Sequence, residues 1–251
     1  MVVNIASEIM KGGVSAITAL IYGQSGVGKT WLAAQSSDRP LIILTEKNGI
    51  TSIGHSNPNA LIVQVSTAEE LFELILDARD KKIDVKDNHG KTVKQIEFDT
   101  LVVDSLTEAQ RLIRDRILRR AKREDMTLKD WGTMANHMER FIRQLRDLPV
   151  HVICTALIEY YNEESTGQRH CQPMFEGKKT GQNISQYFNF VGYYYRKDTT
   201  SKDGVADRHL MLDGASKVAC KSCHPVNGTI KNPDLKQIIK QIQQINKTQT
   251  K

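Results

Sequence analysis

Five short, mostly apolar runs punctuate the chain at residues 16–22, 40–45, 61–65, 100–104 and 150–156. Runs of this length with almost no charge read as strands buried on both faces of a sheet. Between them the apolar positions switch to helical spacing. A helix opens at about Gly28, and another is expected behind Ser66, with Glu69 closing a capping box and Leu71, Phe72, Leu74, Ile75 and Ala78 as its buried stripe. Longer helices are expected over 107–123 and 132–146, the second with Met134, Met138, Phe141, Ile142 and Leu145 facing inward. Strands alternating with helices predict an α/β protein, its sheet mostly parallel with helices on both faces.

The later chain breaks that alternation. Residues 191–196 (VGYYYR) and 208–213 (RHLMLD) predict a C-terminal antiparallel hairpin around DTTSKDG, and the polar stretch 81–95 predicts a surface hairpin turning at Asp87-Asn88-His89-Gly90. Past Asn232-Pro233, Leu235, Ile238, Ile239, Ile242 and Ile245 mark a terminal amphipathic helix that runs into a polar tail at about 246–251. Residues 159–180 carry few apolar side chains, several charges and two glycines, so they are expected to form an unstructured, functional or mobile connection. No internal repeat or linker is evident, and one domain spanning 1–251 is the economical expectation.

Composition changes this picture little. With 251 residues, 39% hydrophobic and 25% charged, the chain can bury one large core. No apolar run approaches membrane-spanning length, and MVVNIASEIMKGG has neither the basic start nor the long apolar centre of a secretory signal, so a cytoplasmic protein without membrane partners is expected. The formal net charge of +6 permits an anionic partner without demanding one. Cys154, Cys171, Cys220 and Cys223 are expected as reduced thiols. Zinc held by Cys220 and Cys223 with His170 or Cys171 is conceivable, but a second pair at regular spacing is missing.

The candidate chemistry begins at Gly23-Gln24-Ser25-Gly26-Val27-Gly28-Lys29-Thr30, which fits G-x-x-x-x-G-K-[ST] directly after a strand and before a helix. A backbone that curls around a phosphate must turn successive N–H groups toward it, and glycine permits that path. Lys29 is expected to reach the β- and γ-phosphates, and the Thr30 hydroxyl to ligate Mg²⁺. Two acids close later apolar runs. Asp104 ends TLVVD, where such loops place an acid near the metal; Glu46 follows PLIILT, at the strand tips where open α/β sheets bind ligands, although a plain exposed loop acid fits that position too.

The helix over 107–123 carries Arg111, Arg114, Arg116, Arg119, Arg120, Lys122 and Arg123, either as a solvated face or as a phosphate-binding surface. Arg169, Lys178 and Lys179 lie near Tyr160, Tyr161 and Phe175, a mixture that suits single-stranded nucleic acid and equally an unliganded surface loop.

GQSGVGKT, LTEKNG, LVVDS and the closing NPDL before an amphipathic helix together resemble the RecA-type ATPases, most closely the short phage-encoded RecA-core proteins related to recombinases and single-strand annealing ATPases. The N-K-x-D base-recognition motif of GTPases is absent. The resemblance implies a RecA-like P-loop NTPase core that uses ATP and Mg²⁺. The nucleotide would be held by residues 23–31, from Gly23 to Trp31, together with Asp104 and Thr155. It assigns Glu46 as the base that activates water and Asp104 as the metal's partner. Thr155 stands where the family has a γ-phosphate sensor before its DNA-binding loop. Lys217 and Lys221 correspond to the late basic residues that reach a neighbouring subunit's γ-phosphate, although Ala219-Cys220-Lys221-Ser222-Cys223 lacks the family's expected arginine. The expected partners are single-stranded DNA, further copies of the chain in a ring or filament, and a single-strand binding protein, in phage recombination, annealing or replication. A helicase-loading or motor ATPase, a non-hydrolysing nucleotide-gated binding module and a small-molecule kinase are the competing readings.

Overall fold

The computed structural model describes residues 16–86, 92–200, 206–214 and 216–248. Five parallel strands form the centre of the sheet: β1 (Thr18–Gly23), β2 (Leu41–Leu44), β3 (Leu61–Gln64), β6 (Thr100–Asp104) and β7 (His151–Asn162). A small antiparallel pair, β4 (Lys82–Lys86) and β5 (Thr92–Glu97), stands apart as the expected surface hairpin, and its turn at 87–90 lies outside the described residues. The remaining strands are β8 (Arg169–Pro173), β9 (Phe190–Thr200), β10 (Ala206–Met211), β11 (Lys221–Ser222) and β12 (Thr229–Lys231). The main sheet runs β12-β10-β9-β1-β7-β6-β2-β3, with β11 added to β9 and β8 to β7. One strand, β7, therefore separates the glycine-loop strand from the strand that ends in Asp104.

Register places the site. Tyr22 of β1 pairs with Ala156 of β7, Leu44 of β2 with Asp104 of β6, and Tyr22 again with Tyr193 of β9. The C-terminal tips of β1, β2, β6 and the core part of β7 thus meet along one edge, where an α/β sheet binds its ligands. Alternation along each strand feeds two cores. Leu20, Tyr22, Ile43, Val103 and Cys154 pack against α3 (Ala68–Asp77), α4 (Leu106–Ala121) and α5 (Leu128–Arg146). Ile21, Ile42, Val102 and Ile153 pack on the other face against α1 (Lys29–Ala34) and α7 (Leu235–Thr248), which bury Leu32, Ile238 and Ile242. The layers are helices, sheet, helices, as the sequence predicts. No helix among the described residues is long and apolar enough to cross a membrane.

Three local expectations are corrected, and one short helix is new. The α3 box is formed by Thr67 and Glu70, not by Ser66 and Glu69. The S/T-x-x-E spacing fits both frames, and burial of Ala68, Leu71 and Ile75 selects the second. Helix α5 starts at Leu128, ahead of Gly132, because Thr127 and Asp130 make a capping box of their own. A short helix, α2 (Ile50–Ser56), occupies a segment with no helical apolar stripe. The largest correction concerns 159–180, which is not an unstructured connection. Strand β7 continues to Asn162, and β8 folds back on it with Glu159 opposite Gln172 and Tyr161 opposite His170. The mostly apolar first part of β7 gives way to Glu159-Tyr160-Tyr161-Asn162, which suits a two-stranded arm leaving the core. Helix α6 (Lys178–Ile184) follows.

Candidate functional site: a glycine loop at the sheet edge

The loop leaves β1 at Gly23, whose backbone lies so close to β9 that a Cβ there would fall 2.1 Å from the Tyr194 carbonyl oxygen. Gly28 takes φ 102°, a left-handed conformation that L side chains rarely adopt, and α1 begins at the next residue. This geometry directs Lys29 back under the loop. Its Nζ donates to the Gly23 carbonyl at 3.0 Å and the Gln24 carbonyl at 2.8 Å, and the residue is only 9% exposed. Burial lowers the ammonium's pKa, while the charges of Asp104 and Glu46 pull it back up.

The Thr30 hydroxyl donates to Asp104 Oδ2 at 2.6 Å, and the Thr155 hydroxyl donates to Asp104 Oδ1. One carboxylate at the tip of β6 therefore joins α1 to β7. Thr30 Oγ1 and the Asp104 carboxylate are hard oxygen donors side by side at the cleft, a set that fits Mg²⁺ better than a softer metal. The Asp104–Ser105 peptide is cis. Thr45 braces it, because the Ser105 N–H donates to Thr45 Oγ1 at 2.9 Å and that hydroxyl donates to the Asp104 carbonyl at 3.1 Å. This ties the tip of β2, and so Glu46, to Asp104. A cleft of about 340 Å³ lies between the loop and these tips, lined by Ser25, Gly26, Lys29, Thr30, Glu46 and Asp104 and rimmed by the half-exposed Trp31. A cation, a hydroxyl–carboxylate pair and a separate solvent-facing carboxylate thus share one opening.

Two cations that sequence reasoning passed over also reach the loop. Arg196 of β9 donates from Nη2 to the Gly26 carbonyl at 2.5 Å, and Arg208 of β10 donates from Nε to the Val27 carbonyl at 3.1 Å. The signal was available in the hairpin pairing, which sets these two arginines directly opposite each other. By contrast, Lys221 sits opposite Val191, near the start of β9, and Lys217 is exposed with its carbonyl bonded to the Cys171 N–H; neither lines the cleft of its own chain.

Of the residues expected to meet nucleic acid, Arg169 stacks its guanidinium 4.2 Å from the Tyr160 ring centre on the β7–β8 arm. Lys178 and Lys179 begin α6, and their side chains lie outside the described residues. The basic helix resolves into ion pairs: Arg116, Arg119 and Arg120 surround Glu69, and Arg111 and Arg114 meet Glu176. Among the described residues no three His, Cys, Asp or Glu side chains gather as a metal site. Burial pushes the Cys220 thiol up to about 11, which keeps it protonated near neutral pH.

A glycine loop with a buried lysine, a threonine and a strand-tip aspartate at the edge of a mostly parallel sheet defines a P-loop NTPase. The chain belongs to the AAA domain family AAA_24, whose model matches residues 15–224. It is an AAA-type P-loop NTPase domain. Among solved structures it is similar to the flagellar accessory protein FlaH from Methanocaldococcus jannaschii, at 12% identity and a TM-score of 0.43, over 92% of this chain and 95% of that one. It is also similar to an ATPase of the type III secretion system of pathogenic bacteria, at 14% identity and a TM-score of 0.48, over 75% of this chain and 53% of that one. EscN of enteropathogenic E. coli gives 15% identity and a TM-score of 0.43, over 75% of this chain and 43% of that one. The chain thus spans about half the length of these secretion ATPases. A comparison with curated proteins gave no match.

Proposed function

We propose that this chain binds ATP with Mg²⁺ in the cleft and hydrolyses it, with single-stranded DNA engaged by the β7–β8 arm. The observation that carries the proposal is the convergence of Thr30, Asp104 and Thr155 beside a lysine buried in the glycine loop. Thr30 and Asp104 would hold the metal, which neutralises phosphate charge when bound. Lys29 stabilises negative charge on the transferred phosphoryl group, and the loop N–H groups orient the triphosphate. Glu46, exposed on the cleft wall, takes a proton from water as the water oxygen bonds the γ-phosphorus. The β–γ bridging P–O bond breaks, and ADP leaves with the bonding electrons. Thr155, buried and hydrogen-bonded to Asp104 at the root of the arm, would sense the γ-phosphate through that carboxylate.

The single-strand reading is supported by Arg169 over Tyr160 and by Tyr161 stacked on His170 at 5.3 Å, which set a cation and stacked rings along an arm that leaves the core. A homo-oligomer in which the exposed Lys217 and half-buried Lys221 serve a neighbour, a single-strand binding protein as partner and a role in phage recombination, annealing or replication rest on the family resemblance. The test is ATP turnover with and without single-stranded DNA across a salt series. The expected result is stimulation that falls steeply as salt rises, because phosphate contacts release counterions. Turnover indifferent to DNA would remove the DNA assignment, and tight ATP binding without turnover would leave a nucleotide-gated binding module.

A further inference from the structure

We infer that Arg196 and Arg208 are positioning residues of the phosphate site, acting within their own chain from the carbonyl side of the glycine loop. The inference rests on the nucleotide reading of the cleft. Arg196 Nη2 reaches the Gly26 carbonyl at 2.5 Å and Arg208 Nε the Val27 carbonyl at 3.1 Å. These carbonyls belong to the peptides whose N–H groups are those of Val27 and Gly28. A guanidinium on the oxygen of a peptide polarises the N–H at its other side, and charge-assisted bonds of this kind are about twice as strong as neutral ones. The two arginines therefore sharpen the donors that a phosphate meets and hold the loop's curvature.

Their placement is costly without an anion nearby. Arg196 and Arg208 are direct cross-strand partners, and like charges opposite each other destabilise a ladder. Among the described residues neither forms an ion pair with a carboxylate, in contrast to the arginines of α4. Their positive charge is stacked behind a loop built for a polyanion, so a bound triphosphate relieves the repulsion between them.

Arg208 is also the better anchored of the two. Its N–H donates to Asn232 Oδ1 at 3.0 Å, and its carbonyl accepts from the Asn232 N–H at 2.7 Å. Asn232 holds φ 46° just before Pro233 and α7, and its side chain donates to Asp207 at 3.2 Å. The entry to the C-terminal helix thus fixes the backbone from which Arg208 reaches the loop. A Cβ at Gly28 would lie 3.2 Å from Arg208 Nε, so this side chain also fills the space beneath the loop's last glycine.

The test compares Arg196→Gln and Arg208→Gln with wild type by titration of Mg·ADP and Mg·ATP, by turnover at saturating ATP and by melting with and without nucleotide. Each substitution is expected to weaken both nucleotides about tenfold. Turnover at saturation should fall by a smaller factor than affinity, a split between KM and kcat that a merely structural role would not give. Arg208→Lys should recover part of the affinity by restoring the charge. The melting temperature of nucleotide-free Arg196→Gln should not fall, while its rise on adding nucleotide shrinks. Arg196 is exposed, so that variant carries the test if Arg208→Gln folds poorly. Wild-type affinity in the Gln variants, or a lower melting temperature with affinity unchanged, overturns this inference alone. A wild-type chain that takes up no nucleotide removes the proposed function as well.

Discussion

On α4, Arg111, Arg114, Arg116, Arg119 and Arg120 each lie within ion-pair distance of Glu108, Glu176 or Glu69, whereas on β9 and β10 Arg196 and Arg208 face one another, reach backbone carbonyls of the glycine loop and, among the described residues, pair with no carboxylate. The helix has the denser run of cations along the sequence, yet much of its charge is drawn to carboxylates from α3 and from the segment after β8. The hairpin has fewer cations, and theirs is the charge left to act on a ligand. Positive charge in a sequence thus marks a binding surface only after its internal partners have been subtracted. On the basic helix three arginines share the single Glu69 and two share Glu176, so its positive charge is offset only in part.

The strongest test of the loop side of this contrast is the acid that faces it. Glu46→Gln is expected to lower turnover about a thousandfold while ATP binds as well or better, because a general base is lost and a negative charge leaves the neighbourhood of Lys29. Steady-state turnover and nucleotide titration on one preparation separate the two effects, and wild-type turnover would reject Glu46 as the base. Lys29→Ala should weaken nucleotide about a hundredfold with the sheet intact, since the loop loses its buried cation. Unchanged affinity in that variant would break the assignment of the cleft itself.

On the helix side the effects are smaller and of another kind. Arg116→Ala removes an ion pair to Glu69 and a guanidinium 5.3 Å from the Phe72 ring centre, and is expected to cost about 1 kcal/mol of stability without altering nucleotide affinity. A loss of affinity there would erase the distinction between the two regions. Weakest is the effect of acid at the start of α5. Asp130 accepts from the Thr127 hydroxyl and N–H and from Arg123, which together hold its carboxyl below the ordinary carboxylate range. A depressed acid of this kind stabilises the fold fully above about pH 4 and loses that contribution as the pH falls through its lowered native value. Melting followed between about pH 5 and pH 2 should show this decline, and Asp130→Asn should flatten it.

How far the chain could be read in advance depended on how local each determinant is. The apolar runs of β1, β2 and β6 and the glycine loop behind β1 are self-contained signals, and Lys29, Thr30, Asp104 and Thr155 do converge as one group. The arm formed by β7 and β8 escaped because the mostly apolar first part of β7 gives way to Glu159-Tyr160-Tyr161-Asn162, which has no period-2 apolar pattern, and its return strand carries Arg169 and His170 in place of an apolar stripe. The frame of the α3 cap was ambiguous between two equal spacings, and tertiary burial decided it. Arg196 and Arg208 lie twelve positions apart in sequence and acquire their role only when antiparallel register sets them opposite each other above the loop. Lys217 and Lys221 were favoured by likeness to a family motif, which carries no information about where β11 would dock.

The first glycine of the loop has a further consequence. Gly23 lacks a positive φ, and it is the Tyr194 carbonyl, pressed against the place where a methyl group would go, that excludes every other residue. Alanine at this position is therefore a wedge driven between two neighbouring strands, felt first as a loosened β1–β9 seam and only afterwards at the phosphate end. The opening letter of the motif belongs to the masonry of the sheet as much as to its catalytic furniture, so the nucleotide site and the hairpin beside it cannot be altered independently at that point.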